Sequence, residues 1–380
     1  MLRVEEIIHI SNLQPLAKIW NTLLSQSYSD NIFLAWEWVF NWWKVYGRDK
    51  ELRILILRDQ NDDIIAITPL YIYKRKILGG FSINEVRFIG TGEDVSPDYL
   101  DFIIKKDRED EAINVFIKYI SGKDEWDVLN LTDMLSTSIS AEILEKTIPD
   151  NGLRIEKRGC ATCPYIQLSS SWEEYVESLS KNMRYNVKRR MRNLEKHFKT
   201  RFFVWQDTDR LGYAMERLAL LHKKRWEERN LRHSFSSKEY NSFHLAVAKD
   251  FALRGWLRLS CLELDGEIVG MLYDYQYGNK IYYYQGGFEP SLYKYSLGLA
   301  LRAFVIQKAI EDGLKEIDLL KGGYEHKYNW TEFDRHTINL VIGRDTLGSK
   351  LFFFDTFKKP RIKASIKKVL SIPLLKLVKK

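Results

Sequence analysis

Residues 257–285 read LRLSCLELDGEIVGMLYDYQYGNKIYYYQ, and this stretch decides the fold. Leu257–Leu264 alternates and is rich in β-formers, and Asp265-Gly266 is a two-residue hairpin turn. Glu267–Tyr277 returns, Gly278-Asn279 turns again, and 280–285, with Tyr282, Tyr283 and Tyr284, forms a third strand. A loop over 286–290 precedes a helix that opens around Tyr295-Ser296-Leu297-Gly298-Leu299 and runs to Gly313, with a strand at 316–320 beyond it. A glycine beside a helix N-terminus offers unpaired N–H groups and a positive dipole end, which suit a pyrophosphate. The amides of Ser296, Leu297, Gly298 and Leu299 are the candidate donors, with Lys294 adding charge. Close helix–strand packing is the competing reason for Gly298.

Working outward, a similar order occurs earlier in the chain. Helices are expected at 11–27 and over the aromatic segment 33–43, ending at Gly47. Strands follow at 51–58, 64–73 and 81–88, then a loop through Gly90, Gly92, Asp94 and Pro97 that leads to 99–104. Helices at 107–121 and 136–147 flank a strand at 126–131. In the second half, Ser170 or Ser171 caps a helix. A strand at 202–205, helices at 209–229 and 238–254, and the meander come after it. Residues 52–57 align with 257–262 and 63–71 with 266–273, so the chain reads as one α/β unit duplicated, with a boundary near 150–165. Coincidence of two hairpins is the rival explanation. The expected division is 1–160, 161–345 and a basic amphipathic tail, 346–380. The second half keeps the turn-glycine-helix element and should hold the cofactor. The first half, whose corresponding loop carries Glu93, Asp94 and Asp98, should shape the acceptor groove.

At 380 residues two domains are expected, and 45% hydrophobic content is enough for a sizeable core. The net charge of +8 concentrates in 181–201 and in the tail, which favours anionic partners. Cys160-Ala-Thr-Cys163 has no second pair to complete a zinc site, and the odd cysteine count suits a reducing compartment. Glu5 and Glu6 interrupt any signal-peptide core, and no apolar run reaches the ~18–20 residues of a membrane span. A cytoplasmic protein is expected, its tail suited to the inner face of an anionic membrane.

Several stretches together resemble a known family. They are Phe33-x-x-Trp36-x-Trp38 with Trp42; Asp98-Tyr99-x-Asp101-Phe102; Leu179-Ser180 with Arg184 and Arg189-Arg190-x-Arg192; and His222-x-x-Arg225-Trp226. Leu264-Asp265-Gly266, Tyr295-Ser296-x-Gly298, and Lys321-Gly322 followed by Lys327-x-x-Trp330 complete the set. In order and spacing the chain is similar to the GNAT-fold acetyltransferases associated with cellulose and exopolysaccharide biosynthesis (the CelD/BcsL group), distant relatives of the Fem aminoacyltransferases. It departs from them at His326, where Tyr is frequent, and at Leu297, where Pro is common.

The resemblance implies tandem GNAT-like halves, an α/β (α+β) fold of mixed, mostly antiparallel sheets flanked by helices. It implies acetyl-CoA as co-substrate, no metal, and transfer to an amine or hydroxyl of a small or lipid- or nucleotide-linked sugar. Tyr284 and Gln285 would then lie on the acyl-binding strand, and Tyr324, Glu325, His326 and Tyr328 would supply acid and base. Asp98, Arg184, Arg189, Trp226 and Lys327 would contact substrate. A polar surface loop is the plainer reading of 321–328. Two other functions stay open: a Fem-like aminoacyl-tRNA-dependent transferase, and a non-catalytic basic module for nucleic acid or membrane. RNA is disfavoured because few aromatics (Tyr185, Phe198) interleave the basic helix.

Overall fold

The computed structural model describes residues 2–77, 80–228 and 233–358. Its strands are β1 (Arg3–Ile7), β2 (Glu51–Arg58), β3 (Ile64–Lys76), β4 (Ser82–Phe88), β5 (Ile103–Ile104), β6 (Val128–Leu135) and β7 (Arg154–Gln167). They continue as β8 (Thr200–Val204), β9 (Leu257–Leu264), β10 (Glu267–Tyr277), β11 (Lys280–Phe288), β12 (Glu316–Asp318) and β13 (Asp334–Gly343). The helices are α1 (Ala17–Ser25), α2 (Trp36–Tyr46), α3 (Glu109–Ser121), α4 (Ile139–Thr147), α5 (Trp172–Ser178) and α6 (Lys181–His197). They end with α7 (Leu211–Glu227), α8 (Lys238–Leu253), α9 (Leu297–Glu311), α10 (Glu325–Tyr328) and α11 (Leu347–Phe353).

Turn and cap chemistry places these elements. Asp265 and Gly266 both adopt positive φ (51° and 89°), closing the β9–β10 hairpin in the hand that matches strand twist. Ser171, Ser180 and Ser237 cap α5, α6 and α8 by accepting the N–H of the third residue on, each worth about 1 kcal/mol.

The strands form one mixed sheet in the order β1-β2-β3-β4-β6-β13-β7-β12-β11-β10-β9-β8, with β5 against β3. Read inward from either edge, the order is the same. A three-strand antiparallel meander (β2-β3-β4, β9-β10-β11) is followed by a helix and a fourth strand parallel to the third. The last strands cross over: β13 pairs with β6, while β7 pairs with β12 through 165–167 and with β13 along the rest of its length. Residue 160 therefore falls inside β7.

β1 and β13 go beyond the sequence expectations, and β7, expected only as a strand over 165–168, begins at Arg154. Gly286 and Gly287, expected in a loop, lie inside β11. A Cβ on Gly287 would press into the backbone of α7, 2.6 Å from the Leu221 carbonyl carbon, so glycine lets the helix cross the strand. The expected tail is a packed helix up to 358: Phe352 and Phe353 of α11 and Phe357 bury against Ile83, Val128 and Val341. From 359 on, the expected tail lies outside the described residues.

The halves meet through α2 and α8 over an aromatic core. Trp38, fully buried, stands edge-on to Phe243, Tyr275 and Tyr284. Most of the aromatic excess is packing of this kind, since ring pairs add about 0.5–1.5 kcal/mol beyond area.

Candidate active site

β11 and β12 run parallel only over 280–282 and 316–318. β12 then stops while β11 continues to Phe288, so the two strands part. The register of β11 on β10 skips Tyr284, which is a bulge between Tyr283 and Gln285. A cleft of about 230 Å³ opens there. Tyr283, Tyr284 and Gln285 form one wall, and Leu319, Leu320, Lys321 and Lys327 the other. The first half contributes Asp94, Ser96 and Asp98, and Ser234 and Tyr240 approach from the start of α8.

The wall after β12 is irregular backbone held by polar contacts. Leu320 has φ 57°. Its N–H donates to Asp318 Oδ1 at 2.8 Å, and the Gly322 N–H donates to the Thr162 carbonyl at 2.9 Å. Lys327 is buried, and its Nζ donates to the carbonyls of Leu319, Leu320 and Lys321 at 2.7, 2.9 and 2.8 Å. All three of its protons are thus engaged. Burial and then the Arg302 charge pull its ammonium down to about 8.

Across the cleft, Asp98 is 1% exposed and accepts the Lys321 N–H on Oδ2 at 2.9 Å. Lys321 Nζ lies 3.4 Å from Asp98 Oδ1 and 2.9 Å from Asp133 Oδ1. Burial pushes the Asp98 carboxyl up to about 7 against the pull of Lys321. Lys321 is itself held above the ordinary lysine value because Asp98 and Asp133 outweigh its desolvation. A buried carboxyl that titrates near neutrality in a cleft is the usual profile of a proton acceptor. The Tyr284 hydroxyl accepts the Ser96 N–H at 3.3 Å, which ties the bulged wall to the first half.

The other sequence candidates fall into three places. Tyr324, Glu325, His326 and Tyr328 sit on or beside α10 and are exposed. Tyr324 stacks on His326, and the Tyr328 hydroxyl donates to Asp334 at 2.6 Å. None of the four lines the cleft.

Ser296 caps α9 in the left-handed region, with φ 54°. Its own N–H and that of Leu299 are already bonded, to Tyr293 and Ser296 carbonyls. The amides of Leu297 and Gly298 have no hydrogen-bond partner among the described residues, so two donors fit a phosphate. A Cβ on Gly298 would lie 3.0 Å from the Phe288 ring, so close packing calls for this glycine in any case. Lys294 is exposed, and its carbonyl accepts from Arg190 of α6 at 2.6 Å.

Arg184 binds the carboxylate and carbonyl of Glu177, fastening α6 to α5, and Arg189 lies over Tyr185. Trp226 is on α7 beside His222, 5.7 Å between ring centres. Of the expected set, the structure brings Tyr284, Gln285, Asp98 and Lys327 together in the cleft. Ser96, Tyr240, Tyr283 and Lys321 join them there, with Asp133 behind Lys321, without having been singled out as site residues. The one available signal was Lys321-Gly322 at a strand end.

Comparison with known proteins agrees with this architecture. Residues 181–328 match the family model described as acetyltransferase (GNAT) domain, so the chain carries the domain of an acyl-transferring enzyme. Among solved structures it is similar to FemX, with TM-score 0.60 and 12% identity over 88% of this chain and 96% of that one. It is also similar to the C-terminal domain of a putative lysylphosphatidylglycerol synthetase from Agrobacterium fabrum, with TM-score 0.52 and 10% identity over 91% and 96%. The L-PGS structure from Bacillus licheniformis aligns with TM-score 0.50 and 11% identity over 89% and 95%. At such identities the likeness is one of fold. No curated protein matches the chain in sequence.

Proposed function

We propose that this protein is a cytoplasmic acyltransferase of the CelD/BcsL kind. It would move an acyl group from coenzyme A to an amine or hydroxyl of a cell-envelope or exopolysaccharide precursor. The observation that carries the reading is the parting of β11 and β12 beside the bulge at Tyr284, because it exposes strand backbone to a thioester carbonyl. The second half, 161–345, would hold the donor, its phosphates on the Leu297 and Gly298 amides with Lys294 nearby. The first half, 1–160, would present Asp98, which takes the proton of the attacking amine or hydroxyl. Lys321 holds that carboxyl in place through its own N–H and balances its charge when ionised.

A second reading has a specific observation behind it. The likeness to FemX spans nearly the whole of both chains, and this favours an aminoacyl-tRNA donor on the same cleft. Calorimetry separates the two. Saturable binding of acetyl-CoA, weakened by Lys294→Glu, supports the first reading. Tight binding of aminoacyl-tRNA with no response to acetyl-CoA supports the second.

A further inference from the structure

A second cavity, of about 330 Å³, lies between the halves and shares no lining residue with the cleft. Asp98 lines the cleft, and its neighbour Tyr99, at φ 61°, lines this cavity. The Tyr99 hydroxyl donates to Asp318 at 2.9 Å.

Three carboxylates line the cavity: Asp30, Asp101 and Glu109. Its two cations are already neutralised. Arg335 donates to Glu316 at 2.7 Å and to Asp318 at 3.3 Å, and Lys280 lies 3.6 Å from Glu316. None of the three carboxylates makes an ion pair among the described residues, although the Lys106 and Lys280 charges act on Asp30. Asp101 is held by the Phe102 N–H and the Ser138 hydroxyl, and Asp30 by the Tyr277 hydroxyl, all uncharged donors. Glu109 is only 8% exposed, yet its Oε1 has no hydrogen-bond partner among the described residues. A buried carboxylate oxygen left without a donor costs on the order of 1–3 kcal/mol, so it marks a place where a donor is missing. The rings of Tyr99 and Tyr282 complete the lining and already carry Arg335 and Lys280 over them, at 5.9 and 5.6 Å.

We propose that this cavity binds a small organic ammonium compound, its charged nitrogen directed to Glu109 and Asp30. The volume sits at the lower end of the ~300–1,000 Å³ typical of small-ligand pockets. A primary ammonium brings three donors and no acceptor, which matches an acid-lined site short of donors. The proposal does not rest on the acyltransferase reading of the cleft.

The test is calorimetry on the full chain with putrescine, with 1,4-butanediol as the uncharged analogue of equal length and succinate as the anionic one. Putrescine should bind, and the other two should not. Glu109→Gln and Asp30→Asn should each weaken putrescine about 10-fold, the usual worth of one charge contact. Asp98→Asn should leave it unchanged. Binding of butanediol as tight as that of putrescine would overturn the proposal. So would wild-type affinity in the double variant E109Q/D30N, shown folded by circular dichroism. Absence of any putrescine binding at about 10 mM, where even a millimolar site registers, would overturn it as well.

Discussion

Replacing Lys327 by Met separates two roles for this residue. Met approximates the length of the stem but removes a charge and three donors. Each hydrogen bond from a charged donor contributes about 1.5–3 kcal/mol, so the carbonyls of Leu319, Leu320 and Lys321 together lose about 5–9 kcal/mol. Against this, the wild-type protein holds a buried ammonium whose value has fallen from 10.5 to about 8. That depression reflects about 3 kcal/mol of desolvation and repulsion from Arg302 at ~1.4 kcal/mol per pH unit, which the variant no longer bears. The net expectation is a loss of about 2–6 kcal/mol, measured by urea denaturation at pH 7. The sign of the pH dependence follows: between pH 8 and 10.5 the unfolded chain binds more protons at this site than the folded one. The Lys327 contribution to stability therefore rises across that window. A Lys327→Met protein that unfolds within about 1 kcal/mol of wild type, yet has lost substrate affinity, would refute the clamp. It would restore an anion-binding role for Lys327 instead.

The other expectations concern the cleft and its frame. Asp98→Asn should lower kcat/KM by about 10²–10⁴, the usual worth of a general base, and remove the limb of the pH profile near 7. The same change should stabilise the protein at pH 7.5, because the folded state keeps this proton up to about 7 and its contribution falls as pH rises from about 4 to 7; calorimetric melting reads it. Gly287→Ala should cost about 2–3 kcal/mol in denaturant titrations, since the obstruction is helix backbone, whereas Gly159→Ala, facing open space, should stay within about 0.5 kcal/mol. Lys294→Glu should weaken acetyl-CoA about 10-fold with no change in melting temperature, and unchanged affinity would remove the phosphate assignment. Glu325→Gln and His326→Ala should alter kcat less than about 3-fold, whereas a loss near 100-fold would move the acid–base chemistry out to α10.

Local chemistry made much of the fold legible. Asp265-Gly266 and Gly278-Asn279 specify their hairpins from neighbouring residues, and Ser171 announces its helix. Periodicity likewise located β2, β3, β9 and β10 and suggested that they repeat. The rest depends on partners distant in sequence. β13 pairs with strands about two hundred residues earlier, and nothing within 334–343 records that. The bulge at Tyr284 sits in a run of three tyrosines, where a slipped register leaves no trace in residue type. Lys321 and Asp98 are 223 positions apart, so their contact follows only from the halves being docked. Residues 324–328 show the reverse case. Chemistry-bearing side chains crowd there in sequence, yet the chain displays them on an outer turn, while Lys327 alone among 324–328 is buried.

The exchange of β7 and β13 has a consequence for how the molecule can be taken apart. Each six-strand set is finished by a strand from the other half's end, as in a dimer whose subunits trade their last strands, here fused into one chain. Cutting near residue 160 would sever β7 itself, strip β13 from β6, and leave β6 and β13 with open edges ready to pair with another copy, while β12 keeps residues 165–167 of β7. The halves should therefore melt in one transition, and either fragment expressed alone should self-associate through the edge its missing partner leaves open, β6 in the first and β13 in the second.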